Sequence, residues 1–234
     1  KQLCEIFEGK MIEQQPPKDI EIKDPLEALP LALKRDFGDY KLRKDKLLAK
    51  GKAWFEKLVA LWRSEPWVCP FALGEEEILF ADNKEFKVGS TTIKFSLPLF
   101  HGVELDRLGW VIGMVLECQG TKILYSSDLQ GPIIEDYADW IIKENPDLLI
   151  LDGPATYLLG FMLNQTNFRR VISNLSSILR SINSEIIIYD HHLPRDIHFK
   201  ERMAEVYEFA KREGKALITA AEWLGVETPV RRTR

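Results

Sequence analysis

Glu185-Ile-Ile-Ile-Tyr-Asp190-His191-His192-Leu-Pro-Arg-Asp196 is a short apolar run that ends abruptly in ionisable side chains. A continuous apolar stretch of this length, bounded by polar residues, reads as a buried strand. The same arrangement recurs along the chain. Lys122-Ile-Leu-Tyr-Ser-Ser127 ends at Asp128, Leu148-Leu-Ile-Leu151 ends at Asp152, and Phe95-Ser-Leu-Pro-Leu-Phe100 ends at His101. Imidazole and carboxylate groups at the ends of successive strands converge in space although the sequence separates them. An α/β protein builds a metal site or a catalytic cleft in this way. His101, His191 and His192 are three of the chain's 4 histidines, and the last, His198, falls inside a helical pattern.

Outward from that stretch, the second half of the chain alternates helix and strand. Helical periodicity covers Ile133 to Glu144, Asn167 to Ile182 and Asp196 to Arg212. Buried strands at Leu148–Leu151, Ile186–Tyr189 and Ala216–Thr219 follow them, and Ala220–Leu224 makes a short helical turn. Upstream the signal is β-rich: Ile78–Phe80, Lys84–Val88, Thr91–Phe95, one long apolar strand from Leu108 to Cys118, and Thr121–Ser127 after a Gln119-Gly120 turn. Before these, Lys44 to Arg63 shows one apolar helical face, and Ile12 to about Asp45 is proline- and charge-rich, hence loop-dominated. Strands first and alternation later predict two sheets packed face to face with helices outside.

The totals fit a globular protein. The 234 residues are 45% hydrophobic and 29% charged, enough for one large domain or two small ones. A net charge of −4 offers no basic field for nucleic acid, and Arg231, Arg232 and Arg234 read as a solvated tail. Cys4, Cys69 and Cys118 have no metal-like spacing and leave an odd thiol, which points to a reducing cytoplasm. No apolar run approaches the ~20 residues of a membrane helix. The chain opens on Lys1 without a start methionine and reads as the continuation of something longer.

Each strand exit also has an ordinary reading. A single histidine after a strand is commonly a surface residue, and Asp152-Gly-Pro is common turn chemistry. Asp190-His191-His192 is harder to explain so. Two adjacent imidazoles beside the carboxylates of Asp190 and Asp196 supply both ligands and the acceptors that orient them.

Taken in order, His101-Gly, Leu108-Gly-Trp-Val111, Ser127-Asp-Leu-Gln-Gly-Pro132, Asp152-Gly-Pro-Ala-Thr-Tyr-Leu158 and Asp190-His-His-Leu-Pro-Arg-Asp196 resemble an uncharacterised, largely archaeal family of metallo-β-lactamase-fold proteins. The resemblance spans Glu77 to Gly225, and Phe7-Glu-Gly9 more loosely. It implies an αββα sandwich, here N-terminally incomplete, with a two-ion site at one edge of the sheets. Zinc is the usual ion, with manganese or iron as alternatives. Asp128 matches the carboxylate that bridges the ions, His101 matches a ligand, and either His191 or His192 matches the last histidine ligand, with His192 preferred. Asp128 and His192 are the expected catalytic pair, and Asp152, Tyr157, Asp190 and Asp196 are expected around them. The superfamily's His-x-His-x-Asp-His loop does not occur in this chain. Residues 1–76 form a loop- and helix-rich segment of the same domain, in which Gln14 to Pro70 reads as an insertion, and residues 77–234 are its C-terminal part.

The function implied is a metal-dependent hydrolase in which metal-bound hydroxide attacks an ester or phosphodiester. The expected substrate is a small molecule, such as a thioester or lactone, or a phosphodiester; nucleic acid is included but not indicated by charge. The rival reading is an inert fragment or interaction module lacking the principal metal loop. A third, the Asp-His-His phosphoesterases, needs an upstream Asp-x-Asp pair that this chain lacks.

Overall fold

The computed structural model describes residues 13–14, 22–64, 67–68, 70–73 and 76–227. Cys4, Phe7-Glu-Gly9, Cys69 and the arginine tail lie outside them. The fold is mixed α/β, built on one seven-stranded sheet. Its strands are β1 (Glu85–Val88), β2 (Thr91–Phe95), β3 (Met114–Cys118), β4 (Thr121–Tyr125), β5 (Leu148–Asp152), β6 (Ile186–Asp190) and β7 (Ala216–Ile218). They lie side by side in chain order, antiparallel from β1 to β4 and parallel from β4 to β7.

Parallel neighbours need crossovers. These are α2 (Glu135–Glu144), α3 (Gln165–Ser181) and α4 (Ala204–Arg212); a longer helix, α1 (Lys41–Ser64), precedes the sheet. Crossovers of one hand, stepping in one direction along a sheet, place their helices on the same face. Accordingly α2, α3 and α4 share one layer, in which Ile141, Val171, Leu175, Ile178 and Val206 pack with Leu124, Leu149, Leu151, Ile187 and Tyr189 of the sheet. Local signals fix the ends. The Asn164 side chain accepts from Asn167 N at the start of α3, and Asn145 closes α2 in the left-handed region at φ +44°.

The opposite face alternates with this one. Met114, Tyr125, Ile150, Ile188 and Ile218 form one row across it, and Leu116, Ile123, Leu148 and Ile186 a second. None belongs to a buried cluster, and Tyr125 is 46% exposed. Of the two facing sheets expected, the described residues therefore hold one; the other strands form two-stranded ribbons, such as Leu99–Phe100 with Trp110–Val111.

Several elements differ from the sequence reading. The run from Phe95 to Phe100 is not one strand: Phe95 ends β2 of the main sheet, and only Leu99–Phe100 resumes, in a separate ribbon. The expected strand Leu108–Cys118 breaks at Ile112-Gly113 because Trp140 packs there; a Cβ on Gly113 would lie 2.6 Å from its ring. The expected helix Asp196–Arg212 starts at Phe199 and divides at Met203, which is fully buried with non-helical backbone. The N-terminal segment shares a second core, where Leu29, Ala32 and Phe55 meet Leu99, Phe100, Leu105 and Tyr137. Among the described residues no helix is long and apolar enough to cross a membrane.

Candidate metal centre

The loops after β4, β5 and β6 leave the sheet along one rim, because parallel pairing aligns the ends of these strands. After β4, Ser126 and Leu129 are fully buried and flank Asp128. The Ser126 hydroxyl accepts from Asp152 N (3.0 Å), which ties the start of this loop to the end of β5. After β6, Leu193 is buried against Gly153, where a Cβ would lie 2.6 Å from that of Leu193. His101 arrives separately, at the end of Leu99–Phe100, where the Phe100 N–H donates to the Tyr137 hydroxyl (2.6 Å).

These supports bring three imidazoles onto one carboxylate. His101 Nε2 lies 2.8 Å from Asp128 Oδ2, His191 Nε2 3.3 Å from the same oxygen, and His192 Nε2 3.1 Å from Oδ1. Asp128, Asp152, His191 and His192 each offer a ligand atom within 4.8 Å of the others. His101 reaches Asp128 apart from that group, its ring 6.3 Å from that of His192. A cavity of about 410 Å³ opens beside them, bounded by Tyr125, Ile150 and the Asp128, Asp152 and His191 side chains. Imidazole nitrogen and carboxylate oxygen suit zinc, manganese and iron, and three or four such donors hold one ion. The residues present fit a divalent metal.

The two carboxyls have opposite character. Burial pushes Asp152 up to about 9, and contact with the charged Asp128 adds to that. Burial also works against ionised Asp128, but hydrogen bonds from His192, Asp152 and His101 outweigh it and hold this carboxyl well below the usual range. The two carboxyls thus share one negative charge and one proton between them.

Around the donors, Tyr157 Oη lies 3.3 Å from His192 Nδ1, and Gln130 Nε2 lies 3.4 Å from His101 Nδ1. Gln130 was not singled out from the sequence; the only signal was a polar residue between Leu129 and Gly131-Pro132. Both His191 and His192 face Asp128, where one had been expected. Asp190 also lines the cavity without joining the imidazoles on Asp128, and Asp196 is not part of the convergence. Asp190 accepts from the backbone N–H groups of His191 and Ala220. Asp196 pairs with Arg202 at 2.8 Å and accepts from His198 N. His198 pairs with Glu201, away from the donors.

Charge fastens the His101 loop to the helices. Arg170, fully buried, donates to Glu104 and Glu135 at 2.6 Å each; Lys44 also reaches Glu104, and Arg35 reaches Glu135. Burial opposes the charge on Glu104, yet Arg170 and Lys44 bring its carboxyl down to about 2.

Comparison with known proteins finds similarity to archaeal UPF0282 proteins. The chain is 42% identical over 148 residues to UPF0282 protein MK0213 of Methanopyrus kandleri, covering 63% of this chain and 48% of that protein. It is 35% identical over 153 residues to a UPF0282 protein of Metallosphaera sedula (65% and 49%) and 35% over 149 residues to one of Korarchaeum cryptofilum (64% and 49%). The chain spans about half the length of the curated relatives it matches. No family model matches it. Among solved structures, the metallo-beta-lactamase fold protein YhfI from Bacillus subtilis aligns with a TM-score of 0.38 and 18% identity, over 64% of this chain and 54% of that one.

Proposed function

We propose that this chain carries part of the centre of a metal-dependent hydrolase of the metallo-β-lactamase type, acting on an ester or phosphodiester. The observation behind this reading is the convergence of His101, His191 and His192 on Asp128 within 2.8 to 3.3 Å. Asp128 would hold the metal, with His101, His191 and His192 as the further donors. A divalent ion bound here, zinc above all, would polarise a substrate oxygen and lower the pKa of water toward about 7.

The chain's own groups have separate tasks. Asp128 stays ionised at neutral pH and is available to a cation without first losing a proton. Asp152 holds a proton beside it. Contact of Tyr157 with Nδ1 of His192 leaves Nε2 of that ring free to face Asp128, and Gln130 does the same for His101.

Metal content after equilibration with zinc or manganese, for the chain and for Asp128→Ala and His192→Ala, tests the reading. The expected result is stoichiometric uptake that Asp128→Ala abolishes, with hydrolysis of p-nitrophenyl acetate or bis(p-nitrophenyl) phosphate lost in parallel. Uptake that ignores Asp128→Ala sinks it. The half-buried apolar sheet face, which belongs to no buried cluster among the described residues, favours a second reading, an interaction module without catalysis. Metal uptake with no hydrolysis of either ester, together with capture of a sheet-covering partner, supports that alternative.

A further inference from the structure

We infer that Asp152 is a positioning residue that sets the separation of the loops bearing Asp128 and His192; the inference rests on the metal-centre reading above. β5 lies between β4 and β6, and Asp152 is its last residue, 4% exposed. Each oxygen of its carboxyl accepts one backbone N–H from a different side. Oδ2 takes Gln130 N at 2.6 Å, two residues beyond Asp128, and Oδ1 takes His192 N at 3.3 Å. One rigid planar group thus spans both loops.

The loops need such a group. Ser127, Gln130 and His191 have φ of +59°, +52° and +65°, a region that side chains other than glycine enter only when the surroundings dictate it. Even with its proton donated in a hydrogen bond to Asp128, a carboxyl keeps an acceptor lone pair on each oxygen for these two N–H groups. An amide of the same shape accepts at one atom and presents N–H toward N–H at the other. Asp152→Asn therefore releases one loop while preserving volume.

The test has two arms on the intact chain. In the metal-free protein, amide hydrogen exchange is expected to accelerate at least ~10-fold at Gln130 or His192 in Asp152→Asn and to stay unchanged at Ile187, in the buried part of β6. With cobalt(II) as the probe, affinity is expected to fall about 10- to 100-fold at unchanged stoichiometry, with an altered ligand-field spectrum. Unchanged exchange at both amides overturns the inference. Loss of one cobalt per chain also overturns it, since Asp152 would then be a ligand itself. Should Asp152→Asn not fold, Asp152→Ser reads the same amides. Failure of the unmodified chain to bind cobalt refutes the metal-centre reading and the role toward the metal with it, while the exchange arm still decides whether Asp152 holds the loops.

Discussion

Replacing Glu104 by Gln keeps its shape and removes one negative charge from the middle of a buried network. The Glu104 side chain is 1% exposed, 2.6 Å from the Arg170 guanidinium and in contact with Lys44. Its carboxyl is lowered from 4.5 to about 2 in the folded chain. A depression of that size is worth roughly 3 kcal/mol of stability at neutral pH. The unfolded chain takes up this proton first as pH falls. The contribution is therefore complete above the unfolded value of 4.5 and disappears as pH drops toward 2. In Glu104→Gln it is absent at every pH, and Arg170 and Lys44 lose a counter-charge in a site where burial already pushes Lys44 down. Urea unfolding at pH 7 is expected to show a loss of about 3 kcal/mol, narrowing toward zero at the acid end. Other carboxylates titrate in both proteins and cancel in the difference. A gap below ~1 kcal/mol at pH 7, or one that does not change with pH, would refute the reasoning.

Tyr137→Phe leaves the buried Phe100 N–H without its 2.6 Å acceptor; a loss of about 1–3 kcal/mol is expected by denaturant titration, and a neutral result would mean that the N–H finds another partner. Gly153→Ala places a Cβ 2.6 Å from that of Leu193; about 1–3 kcal/mol of destabilisation is expected in thermal melts, and an unchanged melting temperature contradicts the close packing. On the sheet, Ile150→Thr on the face away from the helices is expected to change stability by less than ~1 kcal/mol and to reduce binding of a hydrophobic dye, whereas Leu149→Thr, fully buried in the helix-side core, is expected to unfold the chain. Equal effects at these neighbouring positions would show that both faces are covered.

From Leu148 onward the elements were legible, the division at Met203 apart, because each is either a continuous apolar run or a 3.6-residue pattern. Leu108–Cys118 was not, since the cause of its break is Trp140 pressing on Gly113, a contact with no local pattern. The same holds for the charged network, where Lys44 and Arg170 lie 60 and 66 residues from Glu104. At the centre, His101, Asp128, His191 and His192 were readable because each follows an apolar run. Asp190 and Asp196 look similar in sequence, but their oxygens are taken by backbone N–H groups and by Arg202. Position beside a histidine does not say which way a carboxylate faces. Gln130 became visible only once its turn had a shape.

The strand alignment has a consequence for watching this chain fold. Tyr125 pairs with Ile150, and Ile150 with Ile188. Slipping one strand by a residue moves its end by about 3.3 Å and turns its side chains to the other face. That step is as large as the longest gap from imidazole to Asp128, 3.3 Å. The cluster is therefore a vernier for the sheet. Helix content would look the same in an aligned and a slipped molecule, whereas the histidine ring resonances in a refolding experiment report which of the two has formed.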